Sequence, residues 1–171
     1  MNIYIACGLT HVPKEQFDRY VGFIHFLAAE IERRVGATVR YALKDSDPQL
    51  ASRAEADKAR LCYLWDRAMV EWAEAIVADA TFPSIGLGIE LQIAEQKGVP
   101  AIIAFRTADA FRAPTKAYDG ADHVQHTLQI GAGYVSLMAL GIPTVIKVVP
   151  YVAEQEAAEE ICNAVLALER K

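Results

Sequence analysis

Cysteine is scarce in this chain: three in 171 residues, Cys7, Cys62 and Cys162, odd in number and widely spaced. No CxxC pair and no Cys/His cluster is present to hold zinc, so the three are expected to act as small buried hydrophobes, and no metal or organic cofactor is implied. Runs of basic residues are also missing, and the net charge is −5. That argues against a nucleic-acid polymer as partner, because such binding draws on clustered Lys and Arg. No stretch reaches the roughly 20 uncharged apolar residues of a membrane span. The Met1 end lacks the basic and apolar segments of a signal peptide, so a cytoplasmic protein with a small-molecule partner is expected. Internal repeats and low-complexity tracts are absent too. What the chain does have is a hydrophobic fraction of 53%, ample for one core, and a single domain over residues 1–171 is the expectation.

Apolar periodicity sets out the elements. NIYIA, Asn2 to Ala6, is short and β-prone and runs into Gly8, the pattern of a buried first strand ending in a loop. Pro13 then suits the first turn of a helix whose apolar positions Phe17, Tyr20, Val21, Ile24, Leu27, Ala28 and Ile31 recur at helical spacing until Gly36. Thr38 to Leu43 reads as a second strand, and Lys44 to Gln49 as a turn. A long helix from about 51 to 73 follows, its stripe formed by Leu61, Trp65, Ala68, Met69 and Trp72. AIVADA, Ala75 to Ala80, has too few polar residues for a strand that faces water, which suits a parallel sheet covered on both faces. A helix from about Gly86 to Lys97, apolar runs at Ala101 to Phe105 and Thr144 to Val149, and a closing helix from Ala153 to Leu168 complete the pattern. The alternation predicts a doubly wound α/β domain with a mainly parallel five-stranded sheet, in which ligands gather beyond the carboxyl ends of the strands. Residues 106–143 mix charges, histidines and the glycine-rich run Gly131 to Gly133, and receive no firm assignment.

The loop after the third strand carries the clearest chemistry, TFPSIGLGIELQIA from Thr81 to Ala94. Gly86 and Gly88 let a ligand approach the backbone, and Ser84 is placed to cap the helix. Glu90 falls early in that helix, on the side of Leu87 and Ala94, so its carboxylate is expected near the apolar face and the positive helix end. There it would stay ionised, as a nucleophile must. The alternative is a first-turn acid on a solvated face. Asp66 lies mid-helix beside Trp65, with Cys62 and Met69 near it, an unfavourable place for Asp without a partner or a task. Either it bonds to Arg60, Arg67 or the surroundings of Val70, or it is catalytic. Tyr4, inside an apolar strand, reads more readily as a core residue with a bonded hydroxyl than as a catalytic group.

Tyr4 in NIYIACG, Asp66 in YLWDRAMVEW and Glu90 in PSIGLGIELQIA together resemble the nucleoside 2-deoxyribosyltransferase-like family, which includes the deoxynucleoside 5'-monophosphate N-glycosidases. The likeness spans roughly residues 2–105 and rests mainly on the S-x-G-x-G-x-E-L run. It implies a flavodoxin-like domain in which Glu90 attacks the anomeric carbon of the sugar, Tyr4 orients that carboxylate and Asp66 helps the base depart. The logic is that of a retaining glycosidase: a glycosyl-enzyme forms, and water or a second base resolves it.

The resemblance also bears on the substrate. Transferases of the family tend to carry aspartate at the place of Ser84, to meet a free 5'-hydroxyl, whereas the nucleotide N-glycosidases carry a serine that meets a 5'-phosphate. An uncharged donor at a helix start suits an anion, which favours hydrolysis of a 5'-monophosphate over base exchange. The loop Gly8-Leu9-Thr10-His11 lacks the arginine that helps hold phosphate in that branch, leaving Thr10, His11 and Lys14 as substitutes. A homodimer or higher homo-oligomer is implied, with His123, Gln125 and His126 as candidates for polar residues lent between subunits; surface residues are the alternative. Competing functional readings are a nucleotide-binding sensor that kept the fold without turnover, and a glycohydrolase of a nicotinamide dinucleotide.

Overall fold

The computed structural model describes residues 1–169. Five parallel strands form the sheet: β1 (Asn2–Cys7), β2 (Thr38–Tyr41), β3 (Ala75–Asp79), β4 (Ala101–Arg106) and β7 (Val145–Tyr151), in the order β2-β1-β3-β4-β7. This is the doubly wound, flavodoxin-like arrangement. Its direction of winding reverses between β1 and β3, so the loops leaving those two strands open a crevice at their carboxyl ends.

Strand alternation divides the core into two layers. Ile3 and Ile5 of β1, with Val77, Ile102 and Val149, meet α1 (Lys14–Val35) and α7 (Glu154–Leu168). Tyr4 and Ala6, with Ile76, Ala78 and Ile103, meet α4 (Glu55–Trp72) and α5 (Ile85–Gln96). Each large aliphatic side chain lost from water here stabilises the fold by roughly 2 kcal/mol. One face of α1, Tyr20, Phe23, Ile24, Leu27, Ala28 and Ile31, is buried. Gly36 ends the helix in the left-handed region at φ 72°, its N–H capping the Glu32 carbonyl.

Several boundaries differ from the sequence reading. The turn expected at 44–49 folds into two single-turn helices, α2 (Ala42–Asp45) and α3 (Asp47–Leu50). The helix expected to start near 51 begins at Glu55, and of its stripe only Met69 is buried, together with Val70; Trp65 and Trp72 are half-buried and Ala68 is exposed. Phe17 lies on the exposed side of α1. Cys162 is buried, but Cys7 and Cys62 are only partly so. Residues 106–143 contain a 3-10 turn at Asp109–Phe111, a hairpin of β5 (Ala117–Asp119) and β6 (Gln125–Thr127), and α6 (Leu137–Leu140). Among the described residues no helix is long and apolar enough to cross a membrane.

Candidate active site

The alternation that buries Ile3 and Ile5 on the α1 side turns Tyr4 toward α4 and α5. Its hydroxyl donates to Glu90 Oε1 at 2.7 Å, across 86 residues of sequence. Glu90 is the sixth residue of α5, and helical side chains lean toward the N-terminus, so its carboxylate lies over the turn of Gly86, four residues earlier. A Cβ added at Gly86 would meet only Ser84 Oγ, at 3.6 Å.

Glu90 touches solvent at one edge and is enclosed by protein elsewhere, and its pKa is pushed up to about 8. Desolvation is the largest cause; the Tyr4 hydrogen bond opposes it, and the Asp66 charge adds to the rise. The expectation that the helix end would keep this carboxylate ionised is therefore corrected. Below about pH 8 the protonated form prevails, because loss of water, helped by the Asp66 charge, outweighs the Tyr4 donor.

Asp66 has neither of the arginine partners anticipated for it. Arg67 pairs with Glu71 at 2.9 Å, while Asp66 Oδ1 accepts from Ser46 Oγ at 2.6 Å and Oδ2 from Cys62 Sγ at 3.3 Å. Cys62 is one turn back on α4, and Ser46 sits at the α2–α3 junction. The Asp66 charge raises the pKa of Tyr4, Cys7, Cys62 and Glu90 alike, which groups these side chains around one negative centre. Burial is the leading cause for both thiols, with Cys62 moved to about 11, so neither is a thiolate at neutral pH.

Ser84 is the N-cap of α5 and its Oγ accepts the Leu87 N–H at 3.2 Å. Gly8 lies against it: a Cβ there would stand 2.8 Å from Ser84 Cβ and 2.9 Å from the Phe82 carbonyl, so only glycine lets the two crevice loops touch. Thr10 and His11 follow on the exposed rim, and Lys14 opens α1. Gly88 lies elsewhere. At 100° per residue it is about 200° from Glu90, and it lines a cavity of ≈ 850 Å³ between α5 and residues 134–143. His11, Ser84 and Phe82 border that cavity at its crevice end, but Tyr4, Asp66 and Glu90 do not. His123, Gln125 and His126 belong to the β5–β6 hairpin and its turn, where His126 bonds Asp122 at 3.0 Å. None of the three reaches Glu90 within this chain.

Two residues of consequence were not foreseen. Ser46 carries no sequence signal, since its partner is 20 positions away. Asp79 does carry one, an acid inside an apolar strand. Fully buried, it accepts from Tyr20 at 2.9 Å, Tyr151 at 2.9 Å and the Thr81 N–H at 3.2 Å, tying the start of the Ser84 loop to α1 and β7. Burial raises its pKa and those donors oppose the rise. Among the described residues, no group of three or more His, Cys, Asp or Glu is placed to hold a metal ion.

No protein-family model matches the chain, and no curated protein matches its sequence. Solved structures do match it. The CMP N-glycosidase BcmB of Clostridium botulinum superposes over 93% of this chain and 96% of its own, at TM-score 0.56 and 15% identity. A conserved protein of Enterococcus faecalis V583 covers 95% of this chain and 97% of its own, at TM-score 0.55 and 21% identity. A 2-deoxyribosyltransferase of Bacillus psychrosaccharolyticus matches over 60% of this chain and 71% of its own, at TM-score 0.44 and 18% identity. The first two share the fold of this chain along nearly its whole length.

Proposed function

We propose that the chain is an enzyme of the nucleoside 2-deoxyribosyltransferase-like family that breaks the N-glycosidic bond of a nucleoside or its 5'-monophosphate, with Glu90 as nucleophile. The observation that carries this is the Tyr4–Glu90 hydrogen bond of 2.7 Å beside Asp66, at the crevice where the sheet reverses its winding. Ionised Glu90 attacks the anomeric carbon as the bond to the base breaks and its electrons pass to the base nitrogen. Asp66 assists the departing base, accepting a hydrogen bond from it while ionised or passing on a proton it has first taken up as Glu90 ionises, and the base displaces or joins Ser46 and Cys62 on its two oxygens. Tyr4 donates to one oxygen of Glu90 and so leaves the other for attack. Water then resolves the glycosyl-enzyme and frees the sugar; an incoming base would make the enzyme a transferase.

Hydrolysis of a 5'-monophosphate is the favoured form. Ser84, at the N-cap of α5 with the Gly8 loop packed against it, offers the uncharged, positive-ended setting that phosphate prefers. Thr10 and His11 on the neighbouring rim are the further donors. A homo-oligomer in the cytoplasm, without a metal or organic cofactor, completes the reading.

The test is chromatographic detection of free base from a panel of ribo- and deoxyribonucleosides and their 5'-monophosphates, with and without an acceptor base. Release greatest from a monophosphate, and indifferent to the acceptor, is expected. Release of no base from any member would instead favour a nucleotide-binding module.

A further inference from the structure

A second cluster of binding groups borders α4 next to Asp66 and its partner Ser46. Arg40, on β2, and Arg53, after α3, border a cavity of ≈ 400 Å³ with Asp45, Gln49, Trp65 and Met69. The Arg40 guanidinium stands 4.3 Å from the centre of the Trp72 ring, and that of Arg53 5.7 Å from the centre of Trp65. Neither arginine is within salt-bridge distance of a carboxylate among the described residues, although the chain as a whole is acidic. The one acid of the cavity, Asp45, spends Oδ2 on the Tyr41 N–H at 3.1 Å. An arginine stacked on an aromatic face keeps its in-plane N–H donors free, and that fork fits phosphate or carboxylate oxygens. Two such forks around a space of ligand size, neither of them ion-paired to the cavity's single acid, make an anion site.

The walls of this cavity also hold the candidate catalytic centre. Asp45 and Gln49 flank Ser46, whose Oγ bonds Asp66, and Trp65 precedes Asp66 on α4. Met69 packs in the same core layer as Tyr4. We propose that this cavity is an effector site for a phosphate-bearing small molecule, whose occupancy shifts the α2–α3 segment and with it the Ser46 hold on Asp66. Binding stands on the cavity alone, and only the effect on turnover rests on the function proposed above.

The chain's two tryptophans are the two beneath these arginines, and Trp65 itself lines the cavity, so intrinsic fluorescence reports on its occupancy. The full chain is titrated with ribose 5-phosphate, inorganic phosphate and sulfate at physiological ionic strength, with uncharged ribose as control. A saturable change with ribose 5-phosphate, weakened at least tenfold by Arg53→Ala and by Arg40→Ala and left intact by Ser84→Ala, is expected. Arg53→Lys, which keeps the charge without the fork, should recover part of the affinity, separating recognition from a folding defect. Equal response in the arginine variants, loss of response in Ser84→Ala, or equal response to free ribose would overturn the site. Base release is then followed with and without ribose 5-phosphate in wild type and in the Arg40→Ala/Arg53→Ala double variant. A change in kcat in wild type alone supports the effector role, and binding without any such change contradicts it. Should no substrate release base at all, the fluorescence result still decides the binding.

Discussion

The two flanks of α5 differ in kind. On one, Glu90 bonds Tyr4 beside Asp66 in a tight, polar, mostly enclosed setting. On the other, Ile85, Gly88, Ile89 and Gln92 face Tyr134 to Pro143 across the roomier and largely apolar cavity, where Ile85 is 83% and Met138 84% exposed. Volume belongs to one side and the enclosed, hydrogen-bonded carboxylate to the other. A site that must drive a carboxylate onto carbon gains from removing water around it, whereas open apolar space supplies contact area without activating anything. The two glycines mark the same division, Gly86 clearing the space over Glu90 and Gly88 facing the apolar side.

The sharpest way to break this contrast is to remove the reactive oxygen. Glu90→Gln is expected to lower base release on the order of 10⁴-fold or more, the scale of losing a covalent nucleophile; chromatographic rates near those of wild type would end the assignment. Next in size is Tyr4→Phe. Its hydroxyl stabilises the ionised form of Glu90, so its loss should cost about tenfold at pH 7, the scale of a hydrogen bond to a charged group. The rising limb of the pH–rate profile, centred near the Glu90 value of about 8, should move to higher pH. An unmoved limb would assign the limb to another group.

Stability supplies a smaller effect with a defined sign. The pKa of Glu90 rises from 4.5 to about 8 in the folded chain, so between those values the native state keeps a proton that the unfolded chain releases. Stability is thus lost as pH rises through that window and levels off above it. Glu90→Gln removes this loss. Between pH 5 and 8.5 the variant should gain on wild type by on the order of 2 kcal/mol, less than the full shift because one edge of the carboxylate is wet. Thermal melts that track each other across pH would contradict the burial argument. Smallest of all, Gly88→Ala should raise stability by about 0.5–1 kcal/mol, through helix propensity, and leave base release unchanged. A drop in activity would bring the apolar flank into the chemistry.

The sequence displayed the fold well because its three central strands are apolar on both faces and its longest helices keep one apolar side. NIYIA and AIVADA suit the buried strands of a covered parallel sheet, and Gly36 marks a helix end by the conformation glycine adopts freely. The Glu90 side of α5 was legible from its spacing to Leu87 and Ala94, but its charge state was not, since desolvation depends on how closely α4 and β1 approach. Asp66 posed the opposite difficulty: a mid-helix acid announces a partner, yet Ser46 lies in a segment with only turn signals. The hairpin at 117–127 escaped because strands of three exposed residues have no apolar pattern to read.

The most direct test of Glu90 as nucleophile is to trap the glycosyl-enzyme. Wild type and Glu90→Gln are incubated with a 2-deoxy-2-fluoro analogue of the best substrate, which slows hydrolysis of the intermediate, and intact mass and peptide mapping locate the adduct. The account predicts one fluorosugar on the peptide containing Glu90 and none on the variant. An adduct on another residue, or stoichiometric base release with no adduct at any time, would contradict it.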